Sequence, residues 1–184
     1  MVYIESGMDF TPLFDTDKSK VFYIEKSDLY QALNQGQEGV KSVEFVMKKG
    51  RKIQFIECKG SFPNSANPEK KEEIEIQCQK LYNKLHHSLD LLLAKQVGIS
   101  KHLNYEFAKE LGNPEVLDVN LSGTKIIFLV VMGKNEKTKE WYKKEWCKQV
   151  QKVLNNKLIP LRKIWDIDVL VIDNEQARKR QMIA

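Results

Sequence analysis

Cysteine is scarce in this 184-residue chain, which has only Cys58, Cys78 and Cys147. Their odd number and wide spacing give no disulfide framework, and no Cys-x-x-Cys pair is present to hold a structural zinc ion. A reducing, cytoplasmic setting is the expectation. Long apolar runs are lacking too. The longest, Ile126 to Met132, is far too short to span a bilayer. The opening Met-Val-Tyr-Ile-Glu-Ser lacks the basic start and apolar stretch of a secretion signal. There is no Gly-x-x-x-x-Gly-Lys-Ser/Thr loop, no His-Glu-x-x-His pair and no Gly-x-Ser-x-Gly elbow. P-loop nucleotide binding, histidine-held zinc and serine hydrolysis therefore find no support. Internal repeats and low-complexity segments are missing as well.

What is present is ordinary globular composition, with 42% hydrophobic and 30% charged residues. The length suits one domain over residues 1–184 with a sizeable core. The net charge of +5 is compatible with a nucleic-acid partner but does not demand one.

Residues 5–20 are turn-rich. Val21 to Ile24 reads as a first strand, and Ser27-Asp28 as a cap before a short helical turn through Leu33. Val43 to Met47 and Ile53 to Ile56 are apolar, β-branched runs around Lys48-Lys49-Gly50-Arg51, a hairpin signal. Val43, Phe45, Met47 and Ile56 fall on one face of that hairpin and Val46, Ile53 and Phe55 on the other, so it belongs inside a covered sheet. A long helix runs from about Pro68 to Val97, with Ile74, Cys78, Leu81, Leu85, Leu89 and Leu92 as its apolar stripe. A short helix near 103–111, a strand at Lys125 to Met132, a helix of about 18 residues around Trp141 to Leu154 and a strand at Ile167 to Ile172 follow. Asn174 is a candidate cap for a last helix. The expected class is α/β: a mixed sheet, parallel beyond the hairpin, with helices on both faces.

Chemistry concentrates on the hairpin. With a two-residue loop at Lys49-Gly50, facing residues have numbers summing to 99, so Glu44 opposes Phe55. Side chains alternate between faces, which puts Glu44, Glu57 and Lys59 on the same one. The two carboxylates are then diagonal neighbours, roughly 7–8 Å apart along the backbone. Such a pair suits one hard cation, Mg²⁺ or Mn²⁺, which needs few protein ligands besides water and phosphate oxygens. Lys59 is placed to hold a water and offset charge at phosphorus. Gln77 and Lys84, on the polar flank of the long helix, are supporting candidates at the rim. A structural ion pair between Glu57 and Lys59, and a solvated helix flank, are the plain alternatives. Basic residues gather at the hairpin turn (Lys48, Lys49, Arg51 and Lys52) and along Lys134 to Lys152. Either cluster could follow a phosphate backbone, and the second also reads as a solvated helix face.

The run Val43-Glu44-Phe45-Val46-Met47, then Ile56-Glu57-Cys58-Lys59-Gly60, resembles the core of the PD-(D/E)XK, restriction-endonuclease-like nuclease superfamily over about residues 20–132, including its uncharacterised bacterial members. That family carries an acid in one strand and acid-x-Lys in the next. The resemblance implies a restriction-endonuclease-like core. It implies Glu44 and Glu57 as ligands of Mg or Mn with the backbone carbonyl of Cys58, and Lys59 as the catalytic lysine. The implied activity is phosphodiester hydrolysis of DNA, with RNA second, and a second copy of the chain is a candidate partner. Glu44 stands where Asp is usual, with no proline before it. A catalytically inactive domain of the same fold, binding protein or nucleic acid in bacterial defence or regulation, is the alternative.

Overall fold

The computed structural model describes residues 2–17, 20–27, 30–31, 39–63, 70–97, 111–120, 122–133 and 144–184. The elements are β1 (Ile4–Glu5), β2 (Met8–Asp9), α1 (Thr11–Asp17), β3 (Val21–Tyr23), β4 (Phe45–Lys49), β5 (Lys52–Lys59), α2 (Lys71–Gln96), β6 (Lys125–Met132), α3 (Lys144–Lys157), α4 (Ile159–Arg162), β7 (Ile167–Asp173) and α5 (Asn174–Lys179). The architecture is mixed α/β. β1 and β2 form a separate small hairpin, and the main sheet has the order β3-β4-β5-β6-β7. β3, β4 and β5 pair antiparallel, whereas β5, β6 and β7 pair parallel.

The interior strand β6 reads Lys-Ile-Ile-Phe-Leu-Val-Val-Met, apolar on both faces because both are covered. Ile126, Phe128, Val130 and Met132 enter one core layer, with Leu81 and Leu85 of α2 and Val150 and Leu154 of α3. Leu129 and Val131 enter the other, with Leu13 and Phe14 of α1 and Ala177 of α5. The α2 stripe is buried at Ile74, Cys78, Leu81, Leu85, Leu89 and Leu92, the three- and four-residue steps of a helix face. Two right-handed crossovers advancing in one direction put their helices on the same face, which is where α2 and α3 lie.

Several expectations are corrected. The turn-rich start holds the β1–β2 hairpin and α1. The first strand stops at Tyr23, and Ile24–Lys26 form a 3-10 turn. The β4–β5 turn is Gly50-Arg51, not Lys49-Gly50, because Gly50 takes the positive φ of 59°. Lys49 therefore faces Lys52, and facing residues sum to 101. Shifting a two-residue turn by one position moves the register by two, so every side chain keeps its face. Val43 is an exception. It precedes the strand and lies with Val46 and Phe55, not with Phe45. The cap of α5 is Asp173, whose side chain accepts from Gln176 N in a capping box, and Asn174 is the first helical residue. Ser27 Oγ does accept from Tyr30 N, but the rest of that expected helical turn lies outside the described residues. So do residues 103–110 of the expected short helix, Trp141, and Lys134, Lys137, Lys139 and Lys143. Among the described residues, no helix is long and apolar enough to cross a membrane.

Candidate metal centre

Strand ends assemble the site. Glu44 sits at the bend before β4, and one further step of the register places it directly across from Glu57. The diagonal expected from the sequence thus becomes a facing pair. Both project toward α2, the side of Val46 and Phe55. Lys59, two residues beyond Glu57, shares that side.

Glu57 is wholly enclosed, at 0% side-chain exposure. Its Oε1 lies 2.8 Å from Lys59 Nζ and 3.0 Å from Lys84 Nζ. These are ion-pair distances, and among the described residues neither Glu57 oxygen has a hydrogen-bond partner. Glu44 is better satisfied. Its Oε2 accepts from Cys58 N at 2.8 Å, and its Oε1 accepts from Lys84 Nζ at 3.1 Å. Burial pushes the Glu44 carboxyl up to about 8, the neighbouring Glu57 adds to the rise, and Lys84 and the Cys58 amide only partly offset it.

Lys84 is not at the rim, as its place on the helix flank suggests, but in the middle. Its ammonium contacts Glu44, Glu57 and, at 3.6 Å, Glu25. Burial works against its charge, yet Glu57, Glu44 and Glu25 together hold its pKa above the ordinary lysine value. Gln77 lies two turns earlier on α2, about 10 Å along the axis. It is half-buried, and among the described residues no hydrogen bond or ion pair joins it to this cluster.

Two glutamates were missed in the sequence. Glu5 ends β1 and Glu25 sits in the 3-10 turn after β3. One carboxylate oxygen from each of Glu5, Glu25 and Glu44 lies within 4.8 Å of the others, close enough to share a cation. Both are half-buried, and burial raises both pKa values, with Glu44 adding to the effect. Glu5 is positioned by the Ser6-Gly7 turn, where Ser6 takes φ 52°. Ser6 Oγ donates to the Cys58 carbonyl at 3.1 Å. That hydrogen bond uses one of the carbonyl's two lone pairs, and the other remains for a ligand role. Gly60 lets this hairpin approach, since a Cβ there would stand 2.6 Å from Ser6 O. The Cys58 thiol is buried on the opposite face of the sheet, and burial raises its pKa well above the usual value.

The result is four carboxylates and two ammonium groups in one partly buried cluster. Its donors are all oxygens, the set that hard divalent cations prefer. Solvent reaches it beside Lys59, whose side chain is 25% exposed, and beside Glu25. No family model matches the chain, and no curated protein or solved structure matches it.

Proposed function

We propose that the chain is a divalent-metal-dependent phosphodiesterase acting on nucleic acid, DNA first, as the restriction-endonuclease-like resemblance implies. One observation carries the reading: Glu44, Glu57 and Lys59 converge at the ends of β4 and β5, with a buried carboxylate oxygen on Glu57 left without a hydrogen bond among the described residues. An uncompensated buried carboxylate oxygen is costly, and such groups are commonly found at functional sites. Glu44 is the central ligand in this reading, with Glu57 on one side and Glu5 and Glu25 on the other. Mg²⁺ or Mn²⁺, when bound, supplies Lewis acidity toward a phosphoryl oxygen and acidifies a water. Lys59 pairs with Glu57 and directs its remaining N–H donors to the solvent side, where an attacking water is held. Lys84 neutralises the cluster from within.

The test is cleavage of plasmid and single-stranded DNA with Mg²⁺ or Mn²⁺, alongside calorimetric titration with Mn²⁺. Glu57→Gln and Lys59→Ala should each abolish cleavage while the fold is retained. Cleavage unchanged in both variants refutes the assignment. The second reading, a non-catalytic binding domain, draws on the Lys84 ammonium seated between Glu44 and Glu57, where a bridging cation would otherwise lie. Absence of Mn²⁺ binding by the wild-type protein favours it.

A further inference from the structure

At the other end of the sheet, beside the β4–β5 turn, a half-open cleft of about 310 Å³ has a different chemistry. Its walls carry Lys20, Lys48, Lys49 and Arg180, and among the described residues no carboxylate lines it. Most lysines nearer the core are ion-paired: Lys59, Lys84, Lys95, Lys125 and Lys157 each have an acidic partner. Among the described residues, no carboxylate pairs with Lys48, Lys49 or Arg180. The floor is apolar, made by Leu13, Val21, Met47 and Met182. Those four belong to or pack against the core layer on the face away from the glutamate cluster. The five strand steps from Lys49 to Glu44 add about 17 Å of separation. The cleft is therefore a site of its own.

We propose that this cleft binds a small phosphate-bearing ligand with a flat, apolar body, a nucleoside diphosphate in chemical class. Lys49 and Arg180, neither with a carboxylate partner among the described residues, call for more than one negative charge at this opening. Lys49 and Arg180 line the same mouth from β4 and the C-terminal segment, so a diphosphate meets both, whereas the Lys48 side chain alternates to the other face of the sheet. The floor selects the body. Met47 and Met182 offer polarizable thioethers, which pack well against the edge or face of an aromatic ring. Gln181 stands over the cleft with an amide that both donates and accepts, the pattern needed to read a base edge. Its position is fixed by the end of α5. Met182 N donates to Ala177 O and Gln181 N to Arg178 O, which turns Met182 inward and leaves Gln181 outside with φ 57°. The volume lies at the lower end of the range of about 300–1,000 Å³ for small-molecule pockets, and matches a mononucleotide better than a larger cofactor.

Calorimetry on the full chain at low salt tests this, with ADP, inorganic pyrophosphate and adenosine as probes. ADP should bind saturably, and adenosine and pyrophosphate should each bind about tenfold or more weakly. Arg180→Glu and Lys49→Glu should weaken ADP by about tenfold or more. Lys152→Glu on α3 makes the same charge change on an exposed residue away from the cleft, and should cost less than about threefold. All three substituted positions are exposed, so folding should be kept. The proposal is overturned if ADP shows no saturation by about 5 mM. It is also overturned if Lys152→Glu weakens ADP as much as the cleft variants do, or if pyrophosphate alone binds as tightly as ADP. No residue is shared with the glutamate cluster, so none of these outcomes bears on the phosphodiesterase reading.

Discussion

Replacing Lys84 by Met keeps the aliphatic stem and removes the ammonium from between Glu44 and Glu57. Each contact, at 3.0 and 3.1 Å, is worth about 5 kcal/mol before solvation costs at an effective dielectric near 20. Burying the three charges takes back much of that. Removing one partner from a buried ion pair typically costs about 3–5 kcal/mol, because the remaining charge is stranded. Lys84 is only 15% exposed and Glu57 not at all, so solvent relieves little of the loss. The expected cost for Lys84→Met is therefore about 3–5 kcal/mol at pH 8.5, where Glu44 is ionised. At pH 5.5 Glu44 carries a proton and repels Glu57 less, so the cost should shrink. Mn²⁺, if Glu44 and Glu57 ligate it, should return part of the stability at pH 8.5 by occupying the ammonium's place. Urea denaturation at both pH values, with and without Mn²⁺, measures all three effects. A loss below about 1 kcal/mol at pH 8.5, or an equal loss at both pH values, would refute the electrostatic account of this cluster.

The pH dependence of the wild-type protein follows from Glu44. Its folded pKa of about 8 lies above the ordinary 4.5, so the folded state holds the extra proton between those values. Stability should therefore fall as pH rises through that window, and Glu44→Gln should flatten the slope and exceed wild type at pH 8.5. Thermal melts from pH 5 to 9 measure this, and an unchanged slope in the variant contradicts it. Gly60→Ala drives a Cβ against the Ser6 backbone and should cost about 1–3 kcal/mol while displacing Glu5, seen as weaker Mn²⁺ binding in calorimetry. Gln181→Gly relieves a left-handed residue at a helix end and should raise stability by about 0.5–1 kcal/mol in urea titrations.

The shared face of the two acids was legible in the sequence for a reason that survives an error. The turn was placed one residue early, but any two-residue turn preserves parity, so Glu44, Glu57 and Lys59 share a face either way. The buried strands were legible as continuous apolar, β-branched runs, and the α2 stripe because period 3.6 is strong over 26 residues. Glu5 and Glu25 were not. They sit in elements of two or three residues, too short to show a period, and only the Ser6-Gly7 dipeptide signalled a turn there. Lys84 was placed on the correct flank of α2 but at the wrong depth. A helical wheel gives direction, whereas depth depends on where β4 ends and how closely the helix crosses it, which are tertiary facts. The start of α1 was obscured because Pro12 and the aspartates read as turn. Pro is at home in a first helical turn, and Asp9 Oδ1 accepts from Thr11 N there.

The spatial order of the main sheet repeats the order of the chain. No strand has to be threaded between two that are already paired. Each one emerging from the ribosome meets a finished edge and adds to it, so the sheet can grow from its N-terminal side during synthesis. The layer on the outer face closes last, because it needs residues from both ends of the chain: Met8, Phe10 and Phe14 from one, Ala177, Met182 and Ile183 from the other. A final backbone hydrogen bond, Ala184 N to Asp9 O, joins the two ends at 2.9 Å. Until residues 177–183 are made, that face has only α1 and the β1–β2 hairpin to cover it.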